Sequence, residues 1–151
     1  MISVSTEITD RLHGGFLPHA ALFIRLAGLV QFAILVANFV VPGKLRCREN
    51  LARVTPMIRC VFVVHWLYIL LILAIFSAAC LCFAPDLAGG SLLGRFLSVA
   101  MALFWLPRIP IQLFAYDREL RRENRLGDVA ILLAFAFLVA VFGAAALKVS
   151  T

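Results

Sequence analysis

Four long apolar runs occupy most of this 151-residue chain, with short polar segments between them. A helix needs about 20 mostly apolar residues to cross the roughly 30 Å hydrocarbon core of a bilayer. Each run reaches that length, and 64% of all residues are hydrophobic, against about 45–50% in soluble domains. The sequence therefore predicts an all-α integral membrane protein, a four-helix bundle in one transmembrane domain over residues 20–147. The predicted spans are Ala20–Val41, Met57–Ala84, Leu92–Tyr116 and Val129–Leu147.

Arginine and lysine are concentrated in the first and third loops between these spans, and the second loop contains neither. With four spans, the two basic loops lie on the same side of the membrane, and short loops rich in Lys and Arg stay in the cytoplasm. We therefore expect a multi-pass protein of the cell inner membrane, with the tails at 1–19 and 148–151 outside. The basic residues of the two loops are Lys44, Arg46, Arg48, Arg53, Arg118, Arg121, Arg122 and Arg125.

The chain has a formal net charge of +6, and eight of its 14 Lys and Arg residues lie in these loops. No basic face interleaved with exposed aromatic residues is predicted, so the lipid bilayer, and not nucleic acid, is the expected partner. The first 19 residues include Glu7, Asp10 and Arg11 and lack the basic start and apolar centre of a cleavable signal peptide. We expect this segment to be a short tail, partly helical at the membrane surface.

The cysteines and histidines give no metal signature. Cys47, Cys60, Cys80 and Cys82 form no CxxC pair and have no histidine at ligand spacing, so no metal site is expected. His65 is the single histidine of the predicted spans, which disfavours a two-histidine haem site within one chain. The identity of any cofactor is left open.

Polar side chains within the spans are the candidate functional residues, because polar groups at membrane depth are costly. Arg25, Arg59 and Arg95 lie near the ends of their spans, and we expect them to anchor the helices at lipid head groups. Span four contributes no polar residue, and its small residues are expected to form a packing stripe. That stripe consists of Ala136, Ala140 and Ala144.

The remaining polar residues fall on shared faces of spans one to three, in the half nearer the basic loops. One stripe of span three carries polar or aromatic residues at i, i+3, i+7 and i+11, namely Trp105, Arg108, Gln112 and Tyr116. In span one, Gln31 and Asn38 are seven residues apart, and in span two His65 and Tyr68 are three apart. At about 1.5 Å per residue, His65 and Arg108 lie roughly 12–14 Å from the inner ends of their spans. We expect one polar ligand-binding cluster at this depth. Its candidate residues are Gln31, Asn38, His65, Arg108, Gln112 and Tyr116.

Arg108 is the most informative member of this set. An arginine so deep in a span costs about 2.5–3.5 kcal/mol on insertion scales, and no carboxylate lies in the spans at that depth. Two interpretations stay open. Either Arg108 is satisfied by Gln31, water and carbonyls freed by Pro107 and Pro110, or it binds an anionic or carbonyl-bearing ligand such as a lipid phosphate or a quinone.

Three segments resemble a family of small four-span bacterial membrane proteins whose function is not established. They are RLAGLVQFAILVANFVVP in span one, PMIRCVFVVHWLYI over Pro56–Ile69 and FWLPRIPIQLFAYD over Phe104–Asp117. The overall plan is also distantly similar to DoxX-like membrane proteins. The resemblance implies the four-span bundle and a recurrent polar set, but no activity. That set comprises Arg59, His65, Tyr68, Trp105, Arg108, Gln112, Tyr116 and Asp117.

Three functions fit these observations, and one of them, a transporter or channel, requires oligomerisation because four helices enclose little pore. The first is a binding or accessory component, an auxiliary subunit of a larger membrane complex with a membrane-protein partner or a second copy of itself. The alternative is a membrane enzyme or redox protein in which Arg108 holds a lipid or quinone and His65 moves a proton. No nucleophile–base pair, metal cluster or glycine-rich phosphate loop identifies an enzyme, so the catalytic residues are unknown.

Overall fold

The computed structural model describes residues 2–44, 47–114 and 125–148, with the side chains of 19–40, 49, 51–114 and 125–148. These residues form seven helices and no strand: α1 (Ile2–Lys44), α2 (Cys47–Ala52), α3 (Pro56–Cys82), α4 (Ala84–Ala88), α5 (Leu92–Trp105), α6 (Arg108–Phe114) and α7 (Arg125–Leu147). Four segments are long and apolar enough to cross a bilayer, so the predicted all-α four-helix bundle is confirmed. They are His19–Val40, Pro56–Cys82, Leu92–Phe114 and Arg125–Leu147.

Individual residues explain where several of the helices begin. Pro56 begins α3, where its missing N–H has no intrahelical partner to lose. The Ser91 side chain caps α5 by accepting a hydrogen bond from the Gly94 amide at 3.1 Å. Gly90, in the turn before it, has a φ of 76°, a conformation that glycine adopts without a Cβ clash. At the other end of the chain, α1 begins at Ile2, so the predicted tail continues the helix of the first span.

The bundle is built from two helix pairs. α1 packs against α3, α5 packs against α7, and α1 also contacts α7. α1 and α3 approach closely at Gly28, because a Cβ there would lie 2.9 Å from the Cys80 Cβ, and the Ser77 hydroxyl donates to the Gly28 carbonyl at 2.9 Å. α3 meets α5 through side chains, with the rings of Phe76 and Phe104 5.4 Å apart.

The buried core occupies only one half of the bundle. We call the end that contains α2, the last turn of α6 and the first turn of α7 the basic end, and the opposite end, which contains α4, the α4 end. Among the described side chains, none in 32–40, 56–69, 106–114 or 125–134 is buried. The bundle is therefore closed towards the α4 end and open towards the basic end. The largest fully buried side chains are Trp105, Phe142, Ile24, Leu73, Met101, Leu138 and Gln31.

Candidate functional site

The third span is broken next to Arg108. α5 ends where the Leu106 amide donates to the Ala102 carbonyl, and α6 begins at Arg108, with the Ile111 amide donating to the Pro107 carbonyl at 3.2 Å. Pro107 has no N–H, so the carbonyl four residues before it cannot receive the usual helical bond. The break places Arg108 at the start of a short helix, at the border between the closed and the open half of the bundle.

A cavity of about 220 Å³ lies in the open half, beside Arg108, and all four spans contribute to its wall. One part of the wall is apolar and the other carries a guanidinium group and two amides. The apolar lining includes Ile34, Ile69, Leu73, Ile111, Ile131 and Phe135, and the polar lining consists of Asn38, Arg108 and Gln112. This combination of an apolar wall with a few converging polar groups is typical of small-molecule binding sites.

Arg108 is half-buried in this wall. No hydrogen bond or ion pair joins its side chain to any residue in the described part of the chain. The neighbouring amide of Asn38 is occupied by its own helix, since its Nδ2 donates to the Ile34 carbonyl at 2.8 Å. Hydrogen bonds from Arg108 to Gln31 or to backbone carbonyls, which a purely structural role would require, are therefore not found among the described residues.

Gln31 lies deeper than the cavity and is fully buried. Its Oε1 accepts a hydrogen bond from the Trp105 Nε1 at 3.3 Å, and its Nε2 donates to the Cys80 Sγ at 3.4 Å. Trp105 in turn stacks on Phe135 at 5.4 Å. Gln31 thus links α1, α3 and α5 and fixes the aromatic wall of the cavity, and it does not bind Arg108.

Gln112 joins the third span to the fourth. Its Nε2 donates to the Asp128 Oδ1 at 2.6 Å, which ties α6 to the first turn of α7. The predicted fourth span, Val129–Leu147, has no polar residue, but α7 begins at Arg125 and therefore includes Asp128. The contact between Asp128 and Gln112 was not predicted, because Asp128 beside Gly127 was interpreted as the start of the span and nothing in the sequence indicated which helix α7 would meet.

His65 and Tyr68 do not join the cavity. Both are exposed, and His65 Nδ1 lies 3.1 Å from the Val61 carbonyl of its own helix. The packed face of α3 carries Leu70, and at about 100° per residue His65 and Tyr68 lie roughly 140° and 160° away from it. The expectation that equal depth brings His65 next to Arg108 is therefore wrong, because the two residues face different surroundings.

The other predicted polar residues have various positions. Tyr116 lies outside the described residues. Arg59 donates to the Leu51 and Ala52 carbonyls at the end of α2, and Arg95 donates to the Ala146 carbonyl near the end of α7. The predicted small-residue stripe of span four is exposed and does not pack inside the bundle; it comprises Ala136, Ala140 and Ala144.

No group of three or more His, Cys, Asp or Glu side chains in the described ranges is arranged to hold a metal ion. Comparison with known proteins adds no relative: no family model, no curated protein and no solved structure matches the chain. The resemblance to small four-span bacterial proteins and to DoxX-like proteins therefore stays an expectation. The class that the fold and the site define is a four-helix protein with membrane-spanning segments and a half-open polar cavity.

Proposed function

We propose that this protein is a binding component of the cell inner membrane that takes up the anionic head group of a lipid in the cavity beside Arg108. The observation that carries this proposal is the half-buried Arg108 side chain, which has no bonding partner among the described residues in a cavity with an apolar wall. The lipid tail would lie along the apolar lining and continue into the bilayer through the open half of the bundle.

Electrostatics favours an anion over a neutral ligand. A guanidinium group at this depth is costly when it lacks a counter-charge. A quinone carbonyl can accept one of its N–H bonds but leaves the charge in place. A phosphate or carboxylate accepts two parallel bonds from the planar fork of arginine and neutralises it. The ligand class that best matches Arg108 is therefore a phosphate- or carboxylate-headed lipid.

The position of the basic loops supports a cytoplasmic location for the cavity. Short loops rich in Lys and Arg remain in the cytoplasm, and here α2 and the helix ends on either side of residues 115–124 lie at the basic end. The cavity would then open in the cytoplasmic half of the bilayer. Basic residues next to a membrane also attract anionic lipids, so the first loop, where four Lys and Arg residues outnumber the single Glu49, would raise the local concentration of the proposed ligand.

Binding is favoured over catalysis. The enzymatic alternative used Arg108 to hold a lipid or quinone and His65 to move a proton, but His65 lies outside the cavity lining. The lining contains no nucleophile next to a base. A binding role, as a lipid-dependent accessory component of a membrane complex, requires only the groups that line the cavity.

The test is a lipid titration of delipidated protein, followed by native mass spectrometry, with Arg108→Gln and the matched control Arg25→Gln. Arg25 is an exposed arginine in α1, and it does not line the cavity. We expect Arg108→Gln to weaken phosphatidylglycerol binding roughly ten-fold, the loss of a charged hydrogen bond, and Arg25→Gln to leave it unchanged. Diacylglycerol, which has neither a phosphate nor a carboxylate, should bind both variants and the unmodified protein equally weakly.

Thermal unfolding without lipid separates the two interpretations of Arg108. Removal of an unpaired charge should leave the melting temperature of the lipid-free Arg108→Gln variant unchanged or higher. A fall in melting temperature, together with unchanged phosphatidylglycerol binding, would make Arg108 a structural residue and overturn the proposal. Preferential binding of a ubiquinone analogue by the unmodified protein would replace the lipid with a quinone.

A further inference from the structure

The outward face of α3 in the basic half of the bundle is unusually polar for a surface at membrane depth. None of the residues 56–69 is buried, and Tyr68 is 62% exposed. α3 packs against α1 on one side, and the face that carries Val61, His65 and Tyr68 lies on the other. This face is separate from the Arg108 cavity, so an inference about it does not depend on the proposed lipid ligand.

His65 and Tyr68 expose one acceptor and one donor on this face. His65 lies about 13 Å along α3 from Pro56, at about 1.5 Å per residue. Its Nδ1 lies 3.1 Å from the Val61 carbonyl oxygen, which can only accept, so in a neutral ring Nδ1 donates and Nε2 is left as the acceptor. The Tyr68 side chain makes no hydrogen bond to a described residue. Lipid tails can satisfy neither group, whereas a neighbouring helix can.

We propose that this face binds the same face of a second copy of the chain, with the Tyr68 hydroxyl donating to Nε2 of the partner subunit's His65. A two-fold axis along the membrane normal would make both contacts at once, since an isologous interface pairs each residue with its counterpart in both directions. In such a parallel pair the two copies have the same depth, which the fixed topology of a membrane chain requires.

The spacing of the two residues suits this pairing. Tyr68 lies three residues beyond His65, about 4.5 Å further along the helix axis. Both side chains lean towards the N-terminus of the helix, and the longer tyrosine side chain returns further than the histidine ring, so the Tyr68 hydroxyl approaches the level of the His65 ring. The rest of the face is uncharged and apolar, so the two copies would meet without repulsion. Its exposed apolar members are Val61, Val64, Leu71 and Ile75.

Cysteine cross-linking in native membranes tests the contact. In a background with Cys47, Cys60 and Cys82 replaced by Ser, we expect Val64→Cys to form a covalent dimer under mild oxidation. Leu133→Cys is the matched control: it is 64% exposed and lies eight residues from the start of α7, as Val64 lies eight residues from the start of α3. Equal cross-linking of both variants, or of neither, would overturn the proposal.

Two substitutions at the contact provide a second readout, in detergent at graded protein concentrations. His65→Leu or Tyr68→Phe removes both symmetric hydrogen bonds and should raise the dimer dissociation constant roughly eight-fold, at about 0.6 kcal/mol per interhelical bond. The double variant should be no weaker than the worse single variant, because both changes remove the same bond. A monomeric unmodified protein, or a stoichiometric complex with a different chain on this face, would contradict a second copy as the occupant.

Discussion

Gln31 and Arg108 are both polar side chains in apolar helices, but they have opposite surroundings. Both ends of the Gln31 amide are bound, by Trp105 and by Cys80, and the side chain is fully buried. Arg108 is half-buried beside a cavity and has no bonding partner in the described ranges. The amide therefore contributes to packing, and the guanidinium group is available for a ligand.

Replacing Gln31 should test its structural role. Gln31→Leu keeps a similar volume but leaves the buried Trp105 N–H without its acceptor, so we expect a loss of about 1–2 kcal/mol in the free energy of unfolding. Asn38→Leu is the control on the same helix, because the Asn38 amide bonds only the backbone of α1. Equal thermal destabilisation by the two changes would show that the Gln31 link between helices adds nothing.

The sequence could predict the depth of a polar residue but not its direction. Depth follows from counting residues along a span. Direction does not, because the spans are apolar on nearly every side and no apolar stripe marks the packed face. His65 and Gln31 illustrate the difference: both were placed at nearly the same depth, but one is exposed and the other is buried. The break before Arg108 was easier to anticipate, because Pro107 has no N–H to donate to the carbonyl four residues earlier.

At the level of helices, the short segment α6 is the element that shapes the cavity. It follows the proline break, contains no buried residue, and contacts α7. Its one specific side-chain bond in the described ranges that crosses to another helix is the 2.6 Å contact from Gln112 to Asp128. α6 is thus held mainly at its far end, with Arg108 at its other end facing the cavity.

Loss of this bond should loosen α6 alone. Gln112→Leu removes the donor to a partly exposed carboxylate, the Asp128 side chain. A loss of about 1 kcal/mol in the free energy of local opening corresponds to roughly five-fold faster amide exchange in α6. Phe114→Leu, at an 85% exposed position of the same helix, is the control and should leave exchange unchanged. Hydrogen exchange that rises equally in α5, or does not rise in α6, would disagree with a local role for the bond.

For the whole molecule, the division into a closed and an open half is the main feature that the sequence did not predict. The four spans themselves follow from the apolar runs, whose length and composition leave few alternatives to crossing a bilayer. Where the core lies depends on side-chain contacts between spans, such as Gln31 with Trp105, that no single run encodes. The closed half contains the buried aromatic and aliphatic residues, and the open half contains the polar cavity.

The orientation of this asymmetric bundle decides which leaflet the cavity faces. The helix ends that flank both basic loops lie at the basic end, so the positive-inside rule predicts that this end is cytoplasmic. The test uses right-side-out vesicles that contain the chain with Cys47, Cys60 and Cys82 replaced by Ser. There, a membrane-impermeant thiol reagent should label Asp86→Cys at the α4 end. It should label Glu49→Cys in α2 only after the membrane is permeabilised. Both positions are exposed, so access and not burial decides the result. The reverse labelling order would place the cavity in the outer half of the bilayer, away from the leaflet that the proposed ligand is expected to occupy.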